Sequence, residues 1–331
     1  MNPLGGEIAF HNQWFRGATD SGRSSLRLIL EGPLRRKKFL IPDYLCGIIV
    51  EILRQYEVRF SFYHVGKDLS LDWNEIRRQK FGVLYVIDYF GQFNRPPDDL
   101  ARRCTVIYDQ VFAPGLDIPV VGKDWVVFNS LRKVTFLADG SLIASSKPIA
   151  RHGLDKEAQF PVLKYEAKNI KYDFLRHGRY SEGAYLRLFQ QAERKLDRQQ
   201  GPFRMSMTSI GLLGELYGHQ SQEYQIRRRN FALVHQYLKP WAIPLKPQYP
   251  CFYIFKIPGL RDELRDFLFK RHIFLPVHWP KIAGVENSLY DQVLSIPLDS
   301  HYAPRDLKHI AGIIAGFLQR NTKRRFQSQA V

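Results

Sequence analysis

Short apolar runs alternate with amphipathic stretches over the first half of the chain, and this alternation limits the choice of fold more than any other property of the sequence. Each run is rich in β-branched or aromatic residues, which favour buried strands. Such runs, separated by helical stretches, are typical of βαβ units and predict an α/β fold with a mostly parallel sheet covered by helices. The predicted strands are Lys38–Ile41, Glu57–Phe62, Val83–Ile87, Thr105–Tyr108, Trp125–Phe128 and Ser141–Ala144.

Helical periodicity appears between these strands and dominates after them. It predicts helices at Ser25–Glu31, Cys46–Gln55 and Asp98–Arg103, a charged helical stretch over 154–200, and a long helix at Thr208–Leu238. A strand at Cys251–Ile257 and helices at Arg261–Lys270 and Pro304–Gln319 then indicate a small α+β domain. We expect a large domain over residues 1–204, and a bridging helix with a small C-terminal domain over 205–331.

The composition excludes a disordered chain, because 23 Phe, 17 Tyr and 5 Trp among 331 residues supply a large buriable surface. The 49 Lys and Arg exceed the 32 Asp and Glu by 17, which would suit an anionic partner. The basic clusters at Arg35–Lys38, Arg227–Arg229 and Lys323–Arg325 lack any accompanying nucleic-acid-binding motif. We therefore favour a basic surface on a protein that handles phosphorylated or nucleotide-linked molecules over a nucleic-acid-binding protein.

Three cysteines, Cys46, Cys104 and Cys251, lie far apart in the sequence and form no metal-ligand spacing. We expect neither a disulfide framework nor a metal site. No apolar run approaches the roughly 18 residues of a membrane span, and the N-terminus lacks a signal-peptide pattern. These features predict a cytoplasmic location.

Polar side chains close several predicted strands. Asp88 follows VLYVI, Asp109 follows TVIY, and Asn129 with Ser130 follows WVVF, with Lys133 three residues further on. Ligands of open parallel sheets bind outside the carboxyl ends of the strands, so each position is a candidate for function. Each is equally consistent with a helix N-cap or a turn.

The loop Asp20–Ser25 leads into a predicted helix. Serine hydroxyls, a glycine and the free amides of a helix N-terminus could bind a phosphate, although an ordinary serine-capped helix explains the segment as well. A phosphate cup, a strand-end carboxylate at Asp109 and a lysine at Lys133 occur in the order that a pyridoxal phosphate site needs. The phosphate needs amides and hydroxyls, the pyridine nitrogen needs a carboxylate, and the aldehyde needs an amine.

With these residues in place, the chain resembles the DegT/StrS-type sugar aminotransferases, which are pyridoxal phosphate enzymes of the aspartate aminotransferase fold. The order of several motifs carries the resemblance: SGRSSLRLIL at 21–30, IPDYLC at 41–46, FYHVGKDLSLD at 62–72, VIDYFGQ at 86–92, VIYDQVFA at 106–113, FNSLRKVTFLADGSLI at 128–143, RRRNFALVHQYL at 227–238 and HWP at 278–280.

The resemblance implies a role for each site residue. Lys133 would bond to the cofactor aldehyde, and Asp109 would pair with the pyridine nitrogen. The remaining residues implied in cofactor binding are Gly22, Arg23, Ser24 and Ser130 at the phosphate, Tyr44 stacked on the ring, and Gln110. The resemblance also implies a homodimer, an amino acid donor such as glutamate, and a keto acceptor on a nucleotide-linked sugar.

Some positions depart from the family pattern. Gln110 replaces a short side chain, Phe112 replaces a Gln or His, and the serine lies closer to Lys133 than is usual. These departures leave open a cofactor-binding homologue without transaminase activity, either a sugar dehydratase or a non-catalytic protein with a basic binding surface. Ser130-x-x-Lys133 also matches part of the penicillin-recognising acyl-transfer motif, but its companion S-D-N and K-T-G elements are missing.

Overall fold

The computed structural model describes residues 15–119, 121–149, 154 and 156–328, with side chains up to residue 321. The strands are β1 (Phe15–Thr19), β2 (Phe39–Pro42), β3 (Phe60–Tyr63), β4 (Val83–Ile87), β5 (Thr105–Gln110), β6 (Asp124–Asn129), β7 (Ser141–Ser145), β8 (Phe252–Lys256) and β9 (Val293–Pro297). The helices are α1 (Gly22–Leu30), α2 (Gly47–Gln55), α3 (Trp73–Arg78), α4 (Asp98–Arg103), α5 (Leu131–Val134), α6 (Phe160–His177), α7 (Glu182–Asp197), α8 (Met207–Gly211), α9 (Leu213–Leu238), α10 (Arg261–Phe269), α11 (Leu289–Gln292) and α12 (Pro304–Ser328).

The larger sheet has seven strands in the order β1-β7-β6-β5-β4-β2-β3. Strands β2 to β6 run parallel, whereas β7 is antiparallel to β6 and β1 is antiparallel to β7. Every residue of β4 and β5 is buried, as expected for strands covered on both faces. This sheet confirms the predicted α/β class.

All six strands predicted in the first half are present, with ends displaced by no more than three residues. Strand β1 was not predicted, because its sequence FRGAT contains an arginine and a glycine and no apolar run. It forms nonetheless, since its backbone pairs with the whole length of β7 from Phe15↔Ser145 to Thr19↔Ser141. This segment is therefore a strand because it pairs with β7, which is distant in sequence, and not because of its local propensity.

A second, two-stranded sheet is formed by antiparallel β8 and β9. Its buried core includes Val234 of α9, Leu264 of α10 and Ile314 of α12. The main core extends past residue 204, because it includes Trp279 and Tyr290. The division of the chain into residues 1–204 and 205–331 therefore stays a prediction.

The charged stretch predicted to be helical forms α6 and α7, which pack against each other. The buried apolar cluster here is small and consists of Ala158, Phe160, Ala192 and Leu196. Within the described part of the chain, every helix is too short or too polar to cross a membrane. The basic cluster Lys323–Arg325 belongs to α12, where its side chains lie outside the described ones.

Candidate active site at the carboxyl ends of the parallel strands

The first turn of α1 lies directly against the end of β6. Ser21 caps the helix, and its Oγ accepts a hydrogen bond from the Ser24 amide at 3.2 Å. A Cβ atom added to Gly22 would lie 3.3 Å from the Asn129 carbonyl oxygen and 3.4 Å from the Phe128 ring. Glycine therefore permits this close approach, and it brings the free amides of α1 to the edge where β6 ends.

Asp109 is fixed at the end of β5. Its Oδ2 accepts a hydrogen bond from the Tyr85 hydroxyl at 2.7 Å, and its Oδ1 accepts one from the Val111 amide at 3.1 Å. The residue is only 5% exposed, and burial raises the pKa of the carboxyl, whereas the Tyr85 hydrogen bond and the charge of Lys133 oppose the rise. The parallel register aligns Asp109 with Ile87 and Phe128.

Lys133 lies on the short helix α5, immediately after β6. The Leu131 amide donates to the Gly140 carbonyl at 2.9 Å and the Lys133 amide donates to the Ser130 carbonyl at 3.1 Å, so the turn is tied at both sides. The half-buried Lys133 Nζ lies 5.6 Å from the centre of the Phe112 ring. Burial lowers the pKa of this amine, and the opposing charge of Asp109 limits the shift. A lowered pKa makes the neutral, nucleophilic form easier to reach.

Asn129 and Ser130 separate β6 from α5 and are both buried. Asn129 Oδ1 accepts from the Leu142 amide at 2.8 Å, whereas its Nδ2 has no hydrogen-bond partner among the described residues. Ser130 occupies the N-cap of α5 without a side-chain capping bond to any described amide. Two polar groups therefore remain available beside the first turn of α1.

Two other predicted cofactor-binding residues are engaged elsewhere in the protein. Both ends of the Gln110 amide bond the backbone of Asp117, at 2.8 and 3.1 Å, and so close the loop that follows β5. The Ser24 hydroxyl accepts a hydrogen bond from the Phe203 amide at 3.3 Å. Cofactor binding by these two side chains stays a prediction, and the structure gives each of them a structural bond.

Arg23 points from the first turn of α1 to helix α7, where its Nη1 lies 2.6 Å from Asp197 Oδ1. Its side chain is 18% exposed. The charge of Arg23 acts on both Lys133 and Arg132. Arg23 is thus close to the candidate site, although its direct partner is a carboxylate of α7.

Tyr44 is fully buried in an aromatic cluster. Its ring stacks on Tyr89 with centres 5.9 Å apart and contacts Trp279 and Tyr290 at 5.1 Å, and its hydroxyl donates to the His278 carbonyl. Neighbours thus enclose the ring that was expected to stack on the cofactor, so that role stays a prediction without support from these contacts.

The structure places two groups near Lys133 whose position beside this lysine the sequence did not predict. The first is Cys46, at the N-cap of α2, whose thiol lies within electrostatic range of Lys133. The second is an aromatic wall, which we define as Phe90, Phe112, Phe252 and His278. The available signals were weak: Cys46 ends the motif IPDYLC, and His278 belongs to the motif HWP.

The aromatic wall is tightly packed. The rings of Phe90 and Phe112 stack with centres 4.8 Å apart, and His278 lies 4.9 Å from Phe252 and 5.0 Å from Phe90. Burial and the charge of Lys133 lower the pKa of His278 to about 3, so its ring is neutral at physiological pH. His278 Nε2 lies 2.8 Å from Ser295 Oγ, which orients the imidazole.

Comparisons with known proteins bear on the fold. No protein-family model matches the sequence, and no curated protein matches it. A DegT DnrJ EryC1 StrS aminotransferase from Brucella abortus matches in structure with TM-score 0.62 and 16% identity, over 92% of this chain and 86% of that one. DesV from S. venezuelae matches with TM-score 0.62 and 16% identity, over 92% and 84% of the two chains. Helicobacter pylori PseC, an aminotransferase involved in pseudoaminic acid biosynthesis, matches with TM-score 0.63 and 13% identity, over 92% and 87%.

The chain has the fold of these aminotransferases. This confirms the aspartate aminotransferase-like fold that the order of the sequence motifs implied. Within the aminotransferase fold, Lys133, Asp109, Ser130 and Gly22 meet at one edge of the large sheet, whereas Tyr44 and Gln110 are committed to other contacts.

Proposed function

We propose that the protein is a pyridoxal phosphate-dependent aminotransferase that moves an amino group from a glutamate-like amino acid to a keto group of a nucleotide-linked sugar. One observation carries the proposal: an amine, a carboxylate and the first turn of a helix converge at a single sheet edge, through Lys133, Asp109 and Gly22. The aminotransferase fold supports it, as does the role in pseudoaminic acid biosynthesis of the structurally similar PseC.

The residues at this edge fit pyridoxal phosphate. The absent Cβ of Gly22 lets the first turn of α1 lie against the Asn129 carbonyl, which places the amides of α1 at the sheet edge where a phosphate could bind them. Asn129 Nδ2 is a buried donor that no described residue uses. The Asp109 oxygens are each held by one donor, and a carboxylate oxygen has a further lone pair for the pyridine nitrogen.

The cofactor, when bound, supplies the electron sink that transamination requires. Lys133 would hold the cofactor and afterwards move a proton at Nζ, a role to which its lowered pKa is suited. Asp109, fixed by Tyr85 and Val111, would keep a proton on the pyridine nitrogen. The aromatic wall would exclude water from Lys133 and present an apolar surface to the sugar.

We also propose a homodimer that acts in the cytoplasm and takes its amino group from an amino acid. The resemblance carried by the order of the sequence motifs supports the homodimer and the amino acid donor, and the cytoplasmic location is the prediction made from the sequence. Residues 1–204 would form the cofactor-binding domain, and residues 205–331 would form the bridging helix and small domain.

The proposal is tested by adding pyridoxal phosphate to the full-length protein, recording the visible spectrum, and reducing with borohydride before peptide mass mapping. We expect the protein to turn yellow when the cofactor is added. Reduction should remove the colour and leave the label on Lys133, and no such label should form in Lys133→Ala. Lys168 is a matched control because its pKa is also lowered by burial, to about 8, although its Nζ bonds the Phe136 carbonyl away from Asp109. The Lys168→Ala variant should retain the label on Lys133.

Addition of glutamate to the unreduced, cofactor-loaded protein then distinguishes an active transaminase from a cofactor-binding homologue without this activity. Bleaching of the yellow colour with formation of 2-oxoglutarate supports transamination. A stable label on Lys133 without bleaching by any amino acid would favour the alternative, a cofactor-binding homologue without transaminase activity. Labels scattered over surface lysines would contradict the proposal altogether.

A further inference from the structure

Helix α7 contributes two carboxylates to a cluster of cationic groups beside α1. Asp197 pairs with Arg23 at 2.6 Å, and Glu193 pairs with Lys164 at 2.5 Å and with Arg132 at 3.5 Å. The side chains of Arg23, Arg132 and Lys164 are 18%, 13% and 9% exposed, whereas the carboxylates of Glu193 and Asp197 are 43% and 59% exposed. The cations are thus the inner members of the cluster, and the carboxylates are the outer ones.

Positive charge exceeds negative charge in this cluster. Three cations face two carboxylates, and Lys133 lies next to Arg132 in the chain. The Nε of Arg132 is buried and has no hydrogen-bond partner in the part of the chain that the structure describes. Burial lowers the pKa of Arg132 and, to about 8, that of Lys164, although the charge of Glu193 opposes both shifts. An excess of buried cations favours binding of a further anion.

The cluster lies where a phosphate would sit. Arg23 belongs to the first turn of α1, and Arg132 lies between Ser130 and Lys133. The charges of Arg23 and Asp20 both act on Arg132, which agrees with a position of its guanidinium near the N-terminal end of α1. Guanidinium groups bind phosphate through paired charge-assisted hydrogen bonds, as they bind carboxylates.

We propose that Arg23, Arg132 and Lys164 form a binding site for a phosphate monoester, and that Glu193 and Asp197 of α7 occupy it when no phosphate is bound. Phosphate binding then displaces the two carboxylates and loosens the attachment of α7 to α1 and α5. The inference rests on the proposed function only for the identity of the ligand, the phosphate group of pyridoxal phosphate. Its new content is the role of Arg132 and Lys164 and the competition with α7.

The first experiment compares three probes on the full-length protein: pyridoxal phosphate, pyridoxal without phosphate, and inorganic phosphate. We expect Arg132→Gln to weaken binding of the two phosphate-containing probes about tenfold or more, because it removes a charge-assisted contact. Glu193→Gln and Asp197→Asn should tighten both about two- to fivefold, since they remove partly exposed competitors. Pyridoxal should bind all variants alike.

Matched controls lie on the same helix. Glu182→Gln removes a carboxylate at the opposite end of α7, and Arg187→Gln removes an arginine that neighbours Gly183. Neither should change the ratio of pyridoxal phosphate affinity to pyridoxal affinity. Equal effects of Arg132→Gln and Arg187→Gln, or equal effects on pyridoxal and pyridoxal phosphate, would overturn the proposed site.

Hydrogen exchange tests the competition directly. Inorganic phosphate should speed amide exchange in α7 of the wild-type protein, and it should have little further effect in the Glu193→Gln, Asp197→Asn double variant. If amide hydrogen exchange in α7 is unchanged or slower with phosphate bound, phosphate does not displace the carboxylates of α7, and the proposed competition is wrong.

These outcomes are separable from those of the proposed function. If Lys133 is labelled in the Arg132, Glu193 and Asp197 variants but Arg132→Gln leaves phosphate affinity unchanged, the further inference fails and the aminotransferase proposal stands. If Lys133 is never labelled but inorganic phosphate binds in an Arg132-dependent manner, the site stands and the aminotransferase proposal fails.

Discussion

The large sheet and the α6–α7 pair position their functional groups by different physical means. Strands β4 and β5 are buried at every residue, and their register places Asp109 beside Ile87 and Phe128. The α6–α7 pair has a small apolar cluster, and α7 contacts α1 through the ion pair between Asp197 and Arg23. Apolar packing is insensitive to ligand charge, whereas ion pairs respond to it. The candidate site therefore lies on a rigid sheet edge, beside an element whose ion pairs an anion can alter.

The strongest test of the rigid edge is Asp109→Asn. The amide keeps the shape of the carboxylate but loses the negative charge that would hold a proton on the cofactor. We expect turnover to fall about 10²- to 10⁴-fold, as for other losses of proton control, with little change in folding. Asp88→Asn is the control, because Asp88 is a buried carboxylate at the end of β4 whose partners are Arg95 and Asn94. Comparable turnover in the two variants would contradict the role of Asp109.

The second-largest difference between the two regions should be the loss of stability when a leucine is shortened to alanine. Leu84 is fully buried in β4, whereas Leu175 of α6 is 63% exposed. We expect Leu84→Ala to lower the free energy of unfolding by about 2–5 kcal/mol and Leu175→Ala by no more than about 0.5 kcal/mol. Urea unfolding measures both variants. Similar losses would show that α6 is held by apolar packing after all, against the proposed difference.

The sequence predicted the rigid region better than the adjustable one, for a physical reason. Buried parallel strands need continuous apolar runs, so VLYVI and TVIY reveal both the strands and the carboxylates that close them. The resemblance to the aminotransferases added the expected roles, Asp109 at the pyridine nitrogen and Lys133 at the cofactor aldehyde. Contacts between elements far apart in sequence leave no such local pattern. The pairing of β1 with β7 and the proximity of Glu193 to Arg132 were therefore not predictable.

The same limit explains the uncertain position of Tyr44. IPDYLC predicts a strand that ends near the site, but the burial of Tyr44 depends on Tyr89, Trp279 and Tyr290, which are distant from it in sequence. The structure starts α2 at Gly47 and places Cys46, rather than Tyr44, within electrostatic reach of Lys133. The observed start of α2 is only one residue from the predicted Cys46, so the enclosure of Tyr44 comes from its aromatic neighbours and not from the helix boundary.

Asp20 connects the two regions and should give the protein a pH-dependent stability. Its Oδ2 accepts from Gln199 beyond α7 at 2.8 Å, and burial raises its pKa from 3.8 to about 6 against the hydrogen bonds from Ser24 and Gln199. The folded protein therefore binds this proton more tightly than the unfolded chain. The stabilisation is complete below about pH 4 and is lost as the pH rises through about 6.

Asp20→Asn removes this titration. We expect the fall in the free energy of unfolding between pH 4.5 and pH 7.5 to shrink by about 1–3 kcal/mol in this variant. Asp99→Asn is the control, because the hydrogen bond from Arg77 lowers the pKa of Asp99 below its ordinary value, so that Asp99 does not titrate in this range. A wild-type pH profile that Asp20→Asn leaves unchanged would remove Asp20 as the connecting group.

The smallest expected effect comes from added salt. The ion pair between Arg23 and Asp197 is partly exposed, and pairs of this kind contribute about 0.2–1 kcal/mol and weaken as ionic strength rises. Raising sodium chloride from about 0.05 M to about 0.5 M should therefore speed amide exchange in α7 two- to threefold while leaving β5 unchanged. Sodium sulfate at equal ionic strength sharpens the test, because its divalent anion competes for the arginines as a phosphate would. If sulfate speeds amide exchange in α7 more than chloride does, the anion binds the arginines in addition to screening their charges. If the two salts have equal effects, screening alone explains the result.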